Sequence, residues 1–176
     1  RHGNESRGVV LPEEVRRRID EARRGGTELN LSGFPRGLLD GLDVGAIGAV
    51  AEELQDLKHV TELRFANCNL GPERAAILLP ALKRFANLTS LDLTGNALGR
   101  RGAELLVGVV GYLSMLEWLG LGENSLTGAD VAALVLALKA CPRLRELFVW
   151  GNAVGAAGAA EVAQALREGP ALEVLK

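Results

Sequence analysis

Aromatic side chains are scarce in this chain: four Phe, two Trp and one Tyr make up 4% of its 176 residues. A core built from it must therefore use aliphatic and small side chains, and the place of each ring needs a reason. Cysteine is limited to two, which excludes a disulfide scaffold, and two histidines leave little material for a metal site. A dominant charge sign is lacking as well. Lys and Arg number 20 against 22 Asp and Glu, a net charge of −2, so no global basic field points to nucleic acid. The best apolar run, Val131 to Leu138, is eight residues long. A spanning helix needs roughly 20, so no membrane segment is expected.

What is present favours a folded chain: 48% hydrophobic residues, 24% charged residues and a mean hydropathy of +0.14. Catalytic signatures (HExxH, GxSxG, Walker, CxxC) do not occur. His2 lies at the N-terminus, and His59, in a helix-to-strand loop and expected to be solvated, is more than 80 residues from Cys141, while Cys68 occupies the inward repeat position. Both thiols read as buried and reduced. No catalytic residue, no metal and no cofactor is expected, and the chain is read as cytoplasmic. The sequons Asn4-Glu5-Ser6 and Asn87-Leu88-Thr89 are chance occurrences on this reading.

Repetition organises the rest. VTELRFANCNL, LTSLDLTGNAL, LEWLGLGENSL and LRELFVWGNAV superpose without gaps from Val60, Leu88, Leu116 and Leu144, a constant step of 28 residues. A further start, LEVL, stands at Leu172, again 28 on. A degraded copy, GTELNLSGF, begins at Gly26, 34 residues before the next. The six extra residues are expected around PRGLLDGLD.

Within each copy, positions 4 and 6 alternate as in a strand and put Leu91 with Leu93, or Leu119 with Leu121, on one buried face. The remainder is helical. Ala103, Leu106 and Val110 share one face, as do Val131, Leu134 and Leu138, then Ala159, Val162 and Leu166. A single strand and helix cannot bury these faces, but stacked copies can, as a parallel sheet backed by a row of helices. Position 9 reads Cys68, Asn96, Asn124 and Asn152. A short polar side chain turned inward there can satisfy backbone groups where the strand ends, so these residues form a structural ladder. Gly71, Gly99 and Gly155, with Gly102 and Gly158, suit a tight turn and close approach of repeats. Thr127 and Asp130 replace that pair in one copy. Phe34, Phe65 and Phe85 fall on core columns, and Tyr112 on a helix flank.

The first 25 residues form a separate capping region. Pro12 opens a helix, PEEVRRRIDEARRGG, whose Val15, Ile19 and Ala22 make one apolar stripe. Residues 26–176 form the repeat domain: about five repeats and the start of a sixth. The sequence begins at Arg1 and stops at Lys176 within a new strand, so a piece of a longer protein is expected. The uncapped edge would pair with further repeats or, by self-association, with another copy.

The pattern LxxLxLxxN/CxL, with LGxxGA at Leu98 to Ala103 and its counterpart at Val154 to Ala159, resembles the ribonuclease-inhibitor-like class of leucine-rich repeats. The resemblance implies an α/β solenoid, a right-handed horseshoe with a concave parallel sheet and convex helices. It also implies a non-catalytic protein-interaction module, the sensor or scaffold part of a larger protein. Ran GTPase-activating proteins share the repeat type, so GTPase activation involving Arg100 and Arg101 is an alternative reading. A secreted effector or receptor ectodomain is another.

In such a stack, strand positions 3, 5 and 7 face the concave side. Trp118, Phe148 and Trp150 stand there on adjacent strands, with Gly120 and Gly122 leaving room beside them and Glu123 and Glu146 at the rim. Arg64 and Asp92 occupy the mixed-charge half. These seven residues, other than the two glycines, are the candidate contacts for a protein partner. Exposed aromatics among small residues suit a binding hot spot, unless they pack on one another or on a further segment.

Overall fold

The computed structural model describes residues 8–176; His2 and the Asn4 sequon lie outside that range. Six strands form one parallel sheet in chain order: β1 (Glu28–Asn30), β2 (Glu62–Arg64), β3 (Ser90–Asp92), β4 (Trp118–Gly120), β5 (Glu146–Phe148) and β6 (Val174–Leu175). Helices α1 (Glu13–Arg23), α2 (Val44–Glu53), α3 (Gly71–Leu78), α4 (Gly99–Val110), α5 (Gly128–Ala137) and α6 (Gly155–Leu166) alternate with them. Short 3-10 turns follow α2, α3 and α5. Helices α2 to α6 pack each on the next in one row. The result is an α/β leucine-rich repeat solenoid.

Register follows the repeat. Leu29, Leu63, Leu91, Leu119, Leu147 and Leu175 pair across the sheet, so the 28-residue step in sequence becomes one strand of lateral shift. From Leu29 to Leu147 these position-4 side chains are fully buried, and so are Leu31, Phe65, Leu93 and Leu121 at position 6. Parallel strands cannot be joined by a hairpin, and the intervening helix supplies both the connection and the cover for the apolar face. Val15, Ile19 and Ala22 of α1 are buried, with Pro12 as N-cap rather than as the first helical residue. The helix ends near His59, whose Nε2 donates to Ala22 O at 2.9 Å; this histidine is a tether as well as a solvated side chain.

Two expectations about the core fail locally. Phe34 is 95% exposed instead of on a core column. The chain returns to its neighbouring repeat at Gly37, whose N–H donates to Asn67 O at 2.9 Å, and Leu39 just beyond is fully buried. Gly37 is required there, because a Cβ would stand 2.6 Å from Cys68 Sγ. Ala159 is exposed, unlike Ala103, because no further helix packs on that side of α6 among the described residues.

The copy lacking the glycine pair enters its helix differently. Gly71, Gly99 and Gly155 have φ of +58°, +58° and +65°, a left-handed conformation that favours glycine. Thr127 is extended instead. Its Oγ1 accepts from Asp130 N at 3.3 Å while Asp130 Oδ2 accepts from Thr127 N at 2.9 Å, a reciprocal cap on α5. Behind it, α5 and α6 approach glycine to glycine: a Cβ on Gly128 would lie 2.1 Å from Gly158 Cα.

Candidate interaction face

The side of the sheet away from the helices carries positions 3, 5 and 7, and it divides into a polar and an aromatic sector. In the polar sector Arg64 on β2 pairs with Glu28 on β1 at 3.0 Å and with Glu62 on its own strand at 3.2 Å. All three side chains are well exposed, so these pairs contribute little stability and mainly settle the direction of charge. Asp92 follows on β3. Its Oδ1 accepts from Thr94 N at 3.0 Å, the same turn that Asn30 Oδ1 makes with Ser32 N at 3.0 Å.

The aromatic sector begins on β4. Trp118 and Phe148 are half-buried, with ring centroids 5.2 Å apart at 33°. Trp150, two residues past β5, is 47% exposed. The glycines beside them are not open space. A Cβ on Gly120 would stand 2.6 Å from Trp118 Cη2, and one on Gly122 would stand 2.6 Å from Trp150 Cε2. Each indole therefore lies down onto the backbone of the neighbouring glycine. Instead of open space beside the rings there is a tiled aromatic floor, part packed on itself and part open to solvent. Lys176 Nζ stands 5.6 Å above the Phe148 ring. Glu123 and Glu146 border the floor. Glu123 is exposed and has φ of +52°, in a column whose other members include Gly95 and Gly151 at +71° and +68°.

The inward ladder runs beneath this face. Asn96 Nδ2 donates to Phe65 O and Leu93 O, both at 2.8 Å, and its Oδ1 accepts from Leu70 N at 3.2 Å. Asn124 repeats the pattern toward Leu93 O and Asn96 N, and Asn152 toward Leu121 O and Asn124 N. Each strand end is thus stitched to the next. Cys68 takes the same place with Sγ donating to Leu31 O at 3.3 Å, but it offers no matching amide oxygen. Burial pushes its thiol up to about 12, and that of Cys141 up to about 11. Both thiols are free and neutral at ordinary pH, which suits packing and not nucleophilic attack.

Other residues considered for chemistry stay apart from this face. Arg100 and Arg101 are exposed on α4, with Arg100 Nε bonded to Glu104 at 3.0 Å. Among the described residues no cluster of three His, Cys, Asp or Glu could hold a metal ion, and no helix is long and apolar enough to cross a membrane. The one contribution sequence reasoning missed is the collapse of the indoles onto Gly120 and Gly122. A Trp two residues before one glycine, and one strand from the other, was the available signal.

Comparison with known proteins agrees with this architecture. A leucine-rich repeat family model matches residues 86–107. The chain is 31% identical to human NLRC5 over 86 residues, which is 49% of this chain and 5% of that protein. It is 33% identical to pig ribonuclease inhibitor over 108 residues, 61% of this chain and 24% of that one. The chain therefore spans a quarter or less of the length of these relatives. The solved structure of leiomodin-1 actin-binding site 2 covers 93% of this chain and 79% of its own, at a TM-score of 0.56 and 16% identity, a likeness of fold.

Proposed function

Since the chain is a leucine-rich repeat protein of the ribonuclease-inhibitor-like class, we propose that it is a non-catalytic protein-interaction module, the sensor or scaffold part of a larger protein, which docks a partner on its helix-free face. One observation carries this reading: Trp118, Phe148 and Trp150, three of seven aromatics, gather on the solvent side of a sheet whose core needs none of them. Rigid rings with few rotamers give up little entropy when covered, and fully burying one contributes roughly 1.5–3 kcal/mol. Trp118 and Phe148 are less exposed than Trp150, so Trp150 has the most to gain. Glu123, Glu146, Arg64 and Asp92 would then act at the rim, setting orientation more than affinity.

Other features support parts of the same reading. The ladder Cys68, Asn96, Asn124 and Asn152 acts as scaffold, holding the face rigid from behind. Residues 1–25, of which 8–25 are described, would serve as the cap of the array formed by 26–176. Buried, reduced Cys68 and Cys141 suit a cytoplasmic location. One relative is named for inhibiting a ribonuclease and one fold neighbour for binding actin, so protein partners are known for such arrays.

Affinity capture with the wild-type chain and with the variant Trp118→Ala, Phe148→Ala, Trp150→Ala tests it. A partner retained by the first and lost by the second, with unchanged circular dichroism, is the expected result. Equal capture by both would sink the assignment of this face.

A further inference from the structure

The chemistry around the aromatic floor narrows what it takes. In the polar sector Arg64 already satisfies Glu28 and Glu62. Nearer the rings, Asp92, Glu123 and Glu146 have no ion-pair partner among the described residues. Three carboxylates without an ion pair thus border three rings whose π faces are themselves negative, and Arg64, opposite Asp92 in register, pairs with Glu28 and Glu62 instead. The position of a Cβ on Gly120 lies 2.6 Å from Trp118 Cη2 and 2.9 Å from Asp92 Oδ1, so ring edge and carboxylate are at most about 5.5 Å apart. Glu62, Arg64, Ser90, Asp92 and Trp118 together line a depression that opens to solvent at this point. The chain itself already sets one cation on the floor, Lys176 above Phe148.

Resting on the docking face proposed above, we infer that the partner's anchor is an arginine-bearing basic segment, with a guanidinium seated between the Trp118 indole and the Asp92 carboxylate. A guanidinium is planar and weakly hydrated. It can stack on an indole with its face and donate hydrogen bonds to a carboxylate with its edge, which an apolar anchor cannot do and an ammonium does less well. Asp92 Oδ1, the oxygen nearer the ring edge, accepts from Thr94 N and keeps a second lone pair for the edge of the guanidinium, and Oδ2 beside it can accept as well. Glu146, opposite Trp118 in register on β5, adds to the field that draws the cation in.

The probe is a short acetylated peptide with two arginines spaced by glycine and serine, set against the same peptide with citrulline, which keeps the shape and removes the charge. Binding to the full chain is read by tryptophan fluorescence and calorimetry. The expected result is saturable binding of the arginine peptide that weakens with salt, with citrulline about tenfold weaker. Asp92→Asn should also weaken binding about fivefold to tenfold while leaving the fold intact, because Asn30 makes the same turn with Ser32. Citrulline binding within twofold of arginine, an unchanged affinity for Asp92→Asn, or no binding at millimolar peptide overturns the inference. The two readings fail separately. If Trp118→Ala abolishes binding of both peptides equally, the face is a docking site without cation selectivity. If the arginine peptide binds the triple aromatic variant as well as wild type, the face itself is wrongly assigned.

Discussion

Replacing Asn124 by Ala removes one rung of the ladder, and the cost can be worked out from its bonds. Asn124 is fully buried. Its Nδ2 donates to Leu93 O at 2.8 Å and Gly122 O at 3.1 Å, and its Oδ1 accepts from Asn96 N at 3.1 Å and Leu98 N at 3.4 Å. The two carbonyls keep other donors, since Asn96 Nδ2 also reaches Leu93 O and Gly95 N reaches Gly122 O. The loss therefore falls on two buried amides, Asn96 and Leu98. An orphaned buried donor costs about 1–3 kcal/mol, and the longer Leu98 bond has less to lose, so the variant should lose about 2–4 kcal/mol. Asn152 is half-buried, and water can replace part of what it supplies; Asn152→Ala should cost about 1–2 kcal/mol. Urea unfolding measures the totals, and hydrogen exchange at the Asn96 and Leu98 amides shows whether the loss sits where the bonds do. A cost below about 0.5 kcal/mol for Asn124→Ala, with both amides still protected, would refute the structural role of the ladder.

Three further outcomes are expected. Gly128→Ala should destabilise by about 1–3 kcal/mol because backbone of α6 occupies the space, whereas Gly108→Ala, in open space within α4, should stabilise by about 0.5–1 kcal/mol; thermal melts of the pair compare them. Thr127→Ala removes the α5 cap and should cost about 1 kcal/mol in the same assay. Cys68 and Cys141, with thiols pushed up to about 12 and about 11 by burial, should resist a thiol reagent at pH 8 in the native chain and react fully in denaturant.

The stack was legible because a fixed period converts directly into register: Leu63, Leu91, Leu119 and Leu147 are 28 apart in sequence and neighbours in the sheet. The same phase placed Trp118, Phe148 and Trp150 on the solvent side of their strands. Phase carries no rotamer, so it could not show that the indoles lie onto Gly120 and Gly122. It also fails where the period does. Counting from Gly26 puts Phe34 on a core column, but that copy carries an insertion and Phe34 stands on the surface. Thr127 and Asp130 depart from the glycine pair, and threonine three residues before aspartate is itself a helix-start signal.

The proposed docking face is tested most directly by placing a photo-crosslinking residue at Thr94, beside the aromatic floor, and another at Glu104, exposed on α4 among the helices. A defined protein partner joined through position 94 and not through 104 is the predicted result. Joining through 104 alone would put the partner on the helical side and contradict the account.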